Sequence, residues 1–227
     1  MALALILTSG WFLLNDKAQT PVIEPKTATQ TEAQAESVFP IIPNEQIFSI
    51  SETNFVWAYD VMDTETVLGR ATAVARVKVL SSEPASYVYP PAMSPYTPLN
   101  VQVLEVMSGN LELGLQTLYF PGGTVTAEQY LKVEPRSSEK MGLTKYSQNE
   151  RKKMHIKFEQ ETDYDLKKNT EYIFLLIRDD EVVSGAYFIL DGAYSTFTTD
   201  KKNVKTGNEL KSTKASKAKV AASTPAE

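Results

Sequence analysis

Residues 97–125 constrain the fold more than any other part of this sequence, because their apolar residues follow the pattern of two β-strands. The first run, TPLNVQVLEVM, reaches Ser108-Gly109-Asn110, and the second, LELGLQTLYF, ends before Gly122-Gly123. A glycine-containing turn between two such runs predicts an antiparallel hairpin, and the Gly-Gly pair predicts a corner after it. The stretch predicts architecture and carries no catalytic or cofactor signature.

Further strands are predicted from the same kind of pattern along the chain. A lead-in at residues 54–60 and a short segment at 63–69 precede a long alternating strand at 71–80. Later strands are predicted at 99–107, 115–120, 154–160, 171–178, 186–190 and 193–197. The second of two turn signals, at residues 179–181, favours antiparallel neighbours at the end of this series.

Between residues 126 and 154 the pattern changes from strand to helix. Thr126 is followed by Gln129 and Ser147 by Glu150, and each pair has the spacing of a helix capping box. The closely spaced prolines of YVYPPAMSPYTP, which ends at Pro98, predict a loop with polyproline character over residues 81–97. Short strands with one helical insertion predict a mainly β fold, a small antiparallel OB-like β-barrel, with a β-sandwich as the alternative.

The two ends of the chain differ from this central part in composition. Residues 1–14, MALALILTSGWFLL, predict an apolar signal or anchor segment, although a helix of that length spans only about 21 Å. Residues 15–45 are rich in Thr, Ala, Gln, Glu and Pro and predict a disordered tether, and residues 201–227 predict a disordered lysine-rich tail. The β-barrel domain is therefore expected at residues 46–200.

Composition narrows the function further. The chain has no cysteine, which excludes disulfides, zinc-thiolate sites and thiol catalysis. Its net charge is −5, but residues 201–227 contain seven Lys and two Glu, so the remainder has 16 basic against 26 acidic residues. An acidic domain disfavours binding to nucleic acid, which needs a basic face.

Several segments together resemble a known group of sequences. The order of PLNVQVLEVMSGN, YFPGGTV, EKMGL and KKNTEYIFLLI is similar to that of uncharacterised secreted or membrane-anchored proteins of Gram-positive bacteria. This chain departs from their pattern at Met107-Ser108-Gly109, where those proteins usually have Lys before the Gly, and at Asn169-Thr170-Glu171, where they usually have Gly. The resemblance covers roughly residues 70–197, and it implies an envelope location and a small β-barrel.

Few residues are candidates for catalysis or metal binding. His155 is the only histidine and is predicted to face solvent on a strand, with Met154 and Ile156 on the other side. Four carboxylates alternate along an extended segment and are weak candidates for a metal site: Glu159, Glu161, Asp163 and Asp165. No catalytic residue and no cofactor is assigned from the sequence.

The best candidates for a contact surface are Tyr87, Tyr89 and Tyr96, in the proline-rich loop. Tyrosine supplies rigid contact area, and a polyproline segment loses little entropy on docking. The sequence thus predicts an extracytoplasmic, membrane-anchored or secreted protein whose most plausible role is non-enzymatic binding of an envelope protein or polymer. The membrane would be reached through the N-terminal segment. The alternatives are a carboxylate-dependent envelope hydrolase and a structural spacer domain.

Overall fold

The computed structural model describes residues 35–53, 58–88, 94–180 and 183–211. In chain order its strands are β1 (Ile47–Thr53), β2 (Ala73–Ser82), β3 (Tyr96–Ser108), β4 (Gly114–Pro121), β5 (Gly123–Thr126), β6 (His155–Gln160), β7 (Glu171–Arg178), β8 (Tyr187–Ile189) and β9 (Thr196–Phe197). Its helices are α1 (Thr64–Arg70), α2 (Ala127–Val133), α3 (Pro135–Lys140) and α4 (Gln148–Arg151).

Five of these strands form a closed ring. The order is β2, β3, β4, β8 and β7, and β7 pairs with β2 to close it. The β4 and β8 strands are parallel and the other neighbours are antiparallel. Helices α2, α3 and α4 lie in the chain between the ring strands β4 and β7, whereas α1 precedes β2. The predicted small β-barrel is confirmed, and the closed ring excludes the sandwich.

The barrel interior is filled by alternate residues of its strands. In β2 the inward positions are Ala73, Ala75, Val77 and Val79, which are fully buried, as the alternation in the sequence predicts. The interior also contains larger side chains from the other strands, namely Leu99, Leu118, Phe174 and Leu176. Burial of this apolar surface is the main source of the domain's stability.

A second sheet of three strands stands beside the barrel. Its order is β1, β6 and β5, with β1 parallel and β5 antiparallel to β6. The sequence patterns predicted β6 but neither of its neighbours. The β5 strand has only four residues and begins with a glycine, and β1 alternates isoleucine with serine and so lacks a strong apolar signal.

The helical insertion begins as its capping boxes predict. Thr126 and Gln129 form both hydrogen bonds of a capping box at the start of α2, and Ser147 and Glu150 do the same at α4. Residues 63–69, which were expected to be extended, instead form α1. Its N-cap is Asp63, whose Oδ1 accepts a hydrogen bond from the amide of Glu65.

Residues predicted to lie outside the domain are part of it at both ends. Within the predicted 15–45 tether, Val38 is only 8% exposed and packs into the barrel core. Within the predicted 201–227 tail, Leu210 is 2% exposed and packs against Tyr194 and Phe197, and the buried Asn203 donates to the carbonyl oxygen of Tyr194. Val38 begins the short apolar run VFPII within the otherwise polar residues 15–45, and Leu210 is a single apolar residue among polar ones. The composition of the whole segments therefore did not reveal them.

The proline-rich loop is also shorter than predicted, because β3 begins at Tyr96 and includes Pro98. The register of β3 with β2 ends at Leu99, and beyond it the carbonyl oxygen of Pro98 accepts a hydrogen bond from the amide of Glu83. The missing N–H of Pro98 therefore falls at the end of this ladder, where a strand tolerates proline.

Candidate functional site

A cleft of about 640 Å³ lies beside the second sheet. Its volume is in the range of sites for small ligands, about 300–1,000 Å³. Half of its lining residues have aromatic, aliphatic or proline side chains: Phe39, Pro40, Ile41, Ile42, Pro84, Ala85, Phe120, Pro121, Phe158 and Tyr164. The polar lining comes mainly from Thr124 and Thr126 of β5, His155 and Lys157 of β6, and Asp163 and Asp165 beyond it.

One wall of the cleft is the strap, which we define as residues 36–42. The amide of Val38 donates to the carbonyl oxygen of Leu166 (2.8 Å), and the hydroxyl of Ser82 donates to the carbonyl oxygen of Val38 (2.8 Å). The ring of Phe39 packs against that of Phe120, with centroids 5.6 Å apart. Buried Val38 thus anchors the strap to the barrel, while Ile41 and Ile42 extend along the cleft.

The Gly122-Gly123 corner joins the barrel to the cleft floor, because it leads directly from β4 into β5. Gly123 has φ +119°, and a Cβ atom there would lie 2.3 Å from the Thr97 Oγ1 and 2.7 Å from the Ala85 Cβ. The Thr97 hydroxyl donates to the carbonyl oxygen of Gly122 (2.9 Å). The predicted corner is confirmed, and only glycine fits its second position.

His155 lies at the start of β6 and is half-buried, whereas the sequence predicted that it faces solvent. Its register partner in β5 is Thr126, and both residues line the cleft. The Nδ1 atom of His155 is buried and has no hydrogen-bond partner in the described part of the chain. A buried polar atom without a partner is unfavourable, so the Nδ1 atom of His155 lowers the stability of the fold at this position.

The two aspartates in the cleft differ in their surroundings. Burial raises the pKa of Asp163, although its carboxylate accepts a hydrogen bond from the amide of Gln160 (3.0 Å). Burial also raises the pKa of Asp165, but an ion pair with Lys167 and a hydrogen bond with Ser37 outweigh it, so the net pKa is lowered. One carboxyl group is therefore biased toward its protonated form and the other toward its ionised form.

The four carboxylates that were weak candidates for a metal site do not converge. The alternation ends where β6 ends at Gln160, and each carboxylate has its own partner. Glu159 pairs with Lys157 (2.7 Å), Glu161 accepts a hydrogen bond from the hydroxyl of Tyr194, and Asp165 pairs with Lys167. No group of three histidine or acidic side chains that could hold a metal ion occurs among the described residues.

The tyrosines predicted as a contact surface pack against the domain where they are described. Tyr87 lies edge-on to Phe158, with centroids 6.2 Å apart, and its hydroxyl is buried with no partner in the described ranges. Tyr96 lies edge-on to Phe188, with centroids 5.1 Å apart. Burial raises the pKa of both phenols. Tyr89 lies outside the described residues.

Several residues of the cleft were not recognised from the sequence, among them Phe39, Phe120, Thr124 and Phe158. They come from the strap, the barrel and the second sheet, and only folding brings them together. Of the residues that the sequence singled out, Gly123, His155, Asp163 and Asp165 line this cleft.

The fold and the cleft define a small β-barrel protein with an attached sheet and a cavity of ligand size. Comparison of the chain with models of known protein families, with curated proteins and with solved structures found no match. Within the described ranges no helix is long and apolar enough to cross a membrane.

Proposed function

We propose that this protein is a non-enzymatic binding module of the cell envelope and that its ligand occupies the cleft. The observation that carries the proposal is the cleft itself, about 640 Å³ in volume, with apolar walls and few polar groups. Ligand sites in general combine an apolar lining with a small number of placed hydrogen-bonding groups.

The lining favours a ligand with an apolar body and at least one hydrogen-bonding group. Burial of apolar surface against Phe39, Phe120 and Phe158 would supply most of the binding free energy, about 0.8 kcal/mol for each methylene group removed from water. Polar side chains of the lining, such as Thr124 and Lys157, would supply direction by hydrogen bonding to the ligand.

An extracytoplasmic location is supported by residues 1–14, which read as an export or anchor segment, and by the resemblance to envelope proteins of Gram-positive bacteria. The absence of cysteine agrees with this location. The expected ligand is thus a component of the envelope, either an apolar part of a polymer or a segment of another protein.

The test is the binding of a fluorescent hydrophobic probe to the full chain, with Thr124→Phe as the variant that fills the cleft. Thr124 is half-buried on the cleft floor, so a phenyl ring there would occupy the space of the ligand. We expect the variant to bind the probe about tenfold more weakly, which corresponds to a loss of about 1.4 kcal/mol in binding free energy.

Thr117→Phe is the matched control, because Thr117 is an exposed residue of β4 that does not line the cleft. Its affinity for the probe should equal that of the wild type, and thermal unfolding should show that both variants are folded. Equal affinities of the two variants would contradict the proposal, and a wild-type chain that binds no probe would favour a spacer role.

A hydrolase is the second candidate, and the opposite pKa shifts of Asp163 and Asp165 favour it. Two carboxyl groups with pKa values driven apart are the usual arrangement of a general acid and a base in glycoside hydrolysis. Release of soluble sugar from a cell-wall polysaccharide by the wild type, and its loss in Asp163→Asn, would support this function. Probe binding by the wild type without release of sugar would contradict the hydrolase and support the binding module.

A further inference from the structure

The outer edge of β1 is the longest strand edge that has no pairing partner among the described residues. β1 pairs with β6 on one side only, and it has seven residues. The other edge of this sheet, that of β5, has only four residues. In a strand with one neighbour, every second residue directs its N–H and C=O away from that neighbour.

This edge also lacks most of the features that protect exposed edges in monomeric proteins. Such edges usually contain lysine or proline, or are very short. The sequence of β1 is IFSISET, in which Glu52 is the only charged residue and proline and lysine are absent. A register shift lies near its start, between Ile47 and Ser49, and the remainder pairs regularly with β6.

Ile50 lies in the middle of β1 and is 52% exposed. Its register partner in β6 is Lys157, on the exposed side of the sheet. A large aliphatic side chain in the centre of an open edge is what a neighbouring strand would cover.

We propose that β1 is a dimerisation edge, on which a second copy of this chain adds its own β1 in antiparallel orientation. The two three-stranded sheets would then form one continuous sheet of six strands. With the two-fold axis at Ile50, each Ile50 lies opposite its counterpart, Ser49 opposite Ser51, and Glu52 opposite Phe48. No two like charges face each other in this register, so the strand is complementary to itself.

The cysteine-free chain allows a direct test, because one introduced cysteine can form a disulfide only between two copies. In an antiparallel pair, directly opposite Cα atoms are about 4.5–5.5 Å apart, which suits a disulfide. Ile50→Cys in the full chain should therefore give a covalent dimer under mild oxidation, at twice the monomer mass in non-reducing electrophoresis.

Glu52→Cys is the matched control on the same edge. The two copies of position 52 would be displaced by four residues along the strands, or about 14 Å, which is too far for a disulfide. A second control, Leu115→Cys, places a cysteine at a 72% exposed position on β4 of the barrel. Both controls should remain monomeric in the same gel.

A charge exchange provides a second measurement that does not depend on oxidation. Ile50→Lys and Ile50→Glu would each place like charges opposite each other and should sediment as monomers, whereas an equimolar mixture should restore the dimer. The proposal would be overturned if the wild-type chain sedimented as a monomer, or if Ile50→Cys and Glu52→Cys cross-linked equally.

Discussion

Gly123 is the residue on which the shape of the cleft depends most directly. It adopts a positive φ at the corner between barrel and sheet, and Thr97 and Ala85 occupy the space where a side chain would be. Any other residue would combine backbone strain with a steric clash, and either would move the cleft floor away from the barrel. The Gly-Gly pair is thus a structural requirement of the site.

Asp163 shows that the cleft retains a group that is unfavourable for folding. Burial raises its pKa above the value of the unfolded chain, so the ionised carboxylate at neutral pH destabilises the folded state. A group of this kind stabilises the fold below its unfolded pKa of about 3.9, and that contribution is lost as the pH rises through its folded pKa.

We therefore expect Asp163→Asn to raise the free energy of unfolding at pH 7, with an advantage that decreases as the pH falls through the raised folded pKa of Asp163 and is lost below about 4. Asparagine can still accept the hydrogen bond from Gln160, so the local structure should persist. Urea unfolding at a series of pH values measures the difference.

Asp180→Asn is the control, for which we expect the opposite effect on the free energy of unfolding. The amide of Gly185 and the guanidinium of Arg178 lower the pKa of Asp180. The ionised carboxylate therefore stabilises the fold above its unfolded pKa, and this stabilisation is lost as the pH falls through the folded pKa. This variant should be less stable than the wild type at pH 7. Identical pH profiles for the two variants would contradict the assignment.

The α2 helix links the cleft floor to the helical cover of the second sheet. Its N-cap is Thr126, the last residue of β5, whose hydroxyl accepts a hydrogen bond from the amide of Gln129. Behind this floor the helices pack on a cluster that includes Val125, Leu143, Ile156 and Phe158. The same residue therefore ends a strand, caps a helix and lines the cleft.

Thr126→Ala should lower the free energy of unfolding by about 1 kcal/mol, the usual effect of losing a helix N-cap. Thr126→Ser keeps a hydroxyl at the cap and should retain most of the stability. Urea unfolding of the two variants tests this, and an alanine variant as stable as the serine variant would show that the cap contributes nothing.

The domain as a whole extends beyond its barrel at both ends of the described sequence. Val38 of the strap packs into the barrel core, and Leu210 packs into a separate cluster with Val67, Leu68, Val74, Ile173 and Phe197. Asn203 donates through its Nδ2 to the carbonyl oxygens of Ala193, Tyr194 and Thr196, which holds this C-terminal segment in place. Residues 201–211 are therefore a structural part of the domain.

Leu210→Ala should lower the free energy of unfolding by about 3 kcal/mol, because it leaves a cavity in a buried cluster. Leu113→Ala removes the same atoms from a side chain that is 66% exposed and should change stability by less than about 0.5 kcal/mol. Chemical denaturation of both variants gives the comparison. Equal effects would mean that Leu210 does not pack as described.

Local patterns were sufficient for the elements whose signals are short-range. Strand β7 was predicted at residues 171–178 and has these bounds, and both capping boxes were recognised from two residues each. Alternation in β2 identified its inward side, and the strand count with one helical insertion indicated a small barrel. These features depend on neighbours a few residues apart, which a sequence displays directly.

Only the tertiary structure decided where the cleft lies and which residues form it. Residues 15–45 and 201–227 have overall compositions typical of disordered segments, yet Val38 in the first and Asn203 and Leu210 in the second are buried in the domain. His155, Asp163, Thr124 and Phe39 come from separate parts of the chain and meet because the barrel closes and the second sheet pairs beside it. Contacts between distant residues depend on the global packing, so the sequence by itself determined the elements and the barrel, and the fold determined the site.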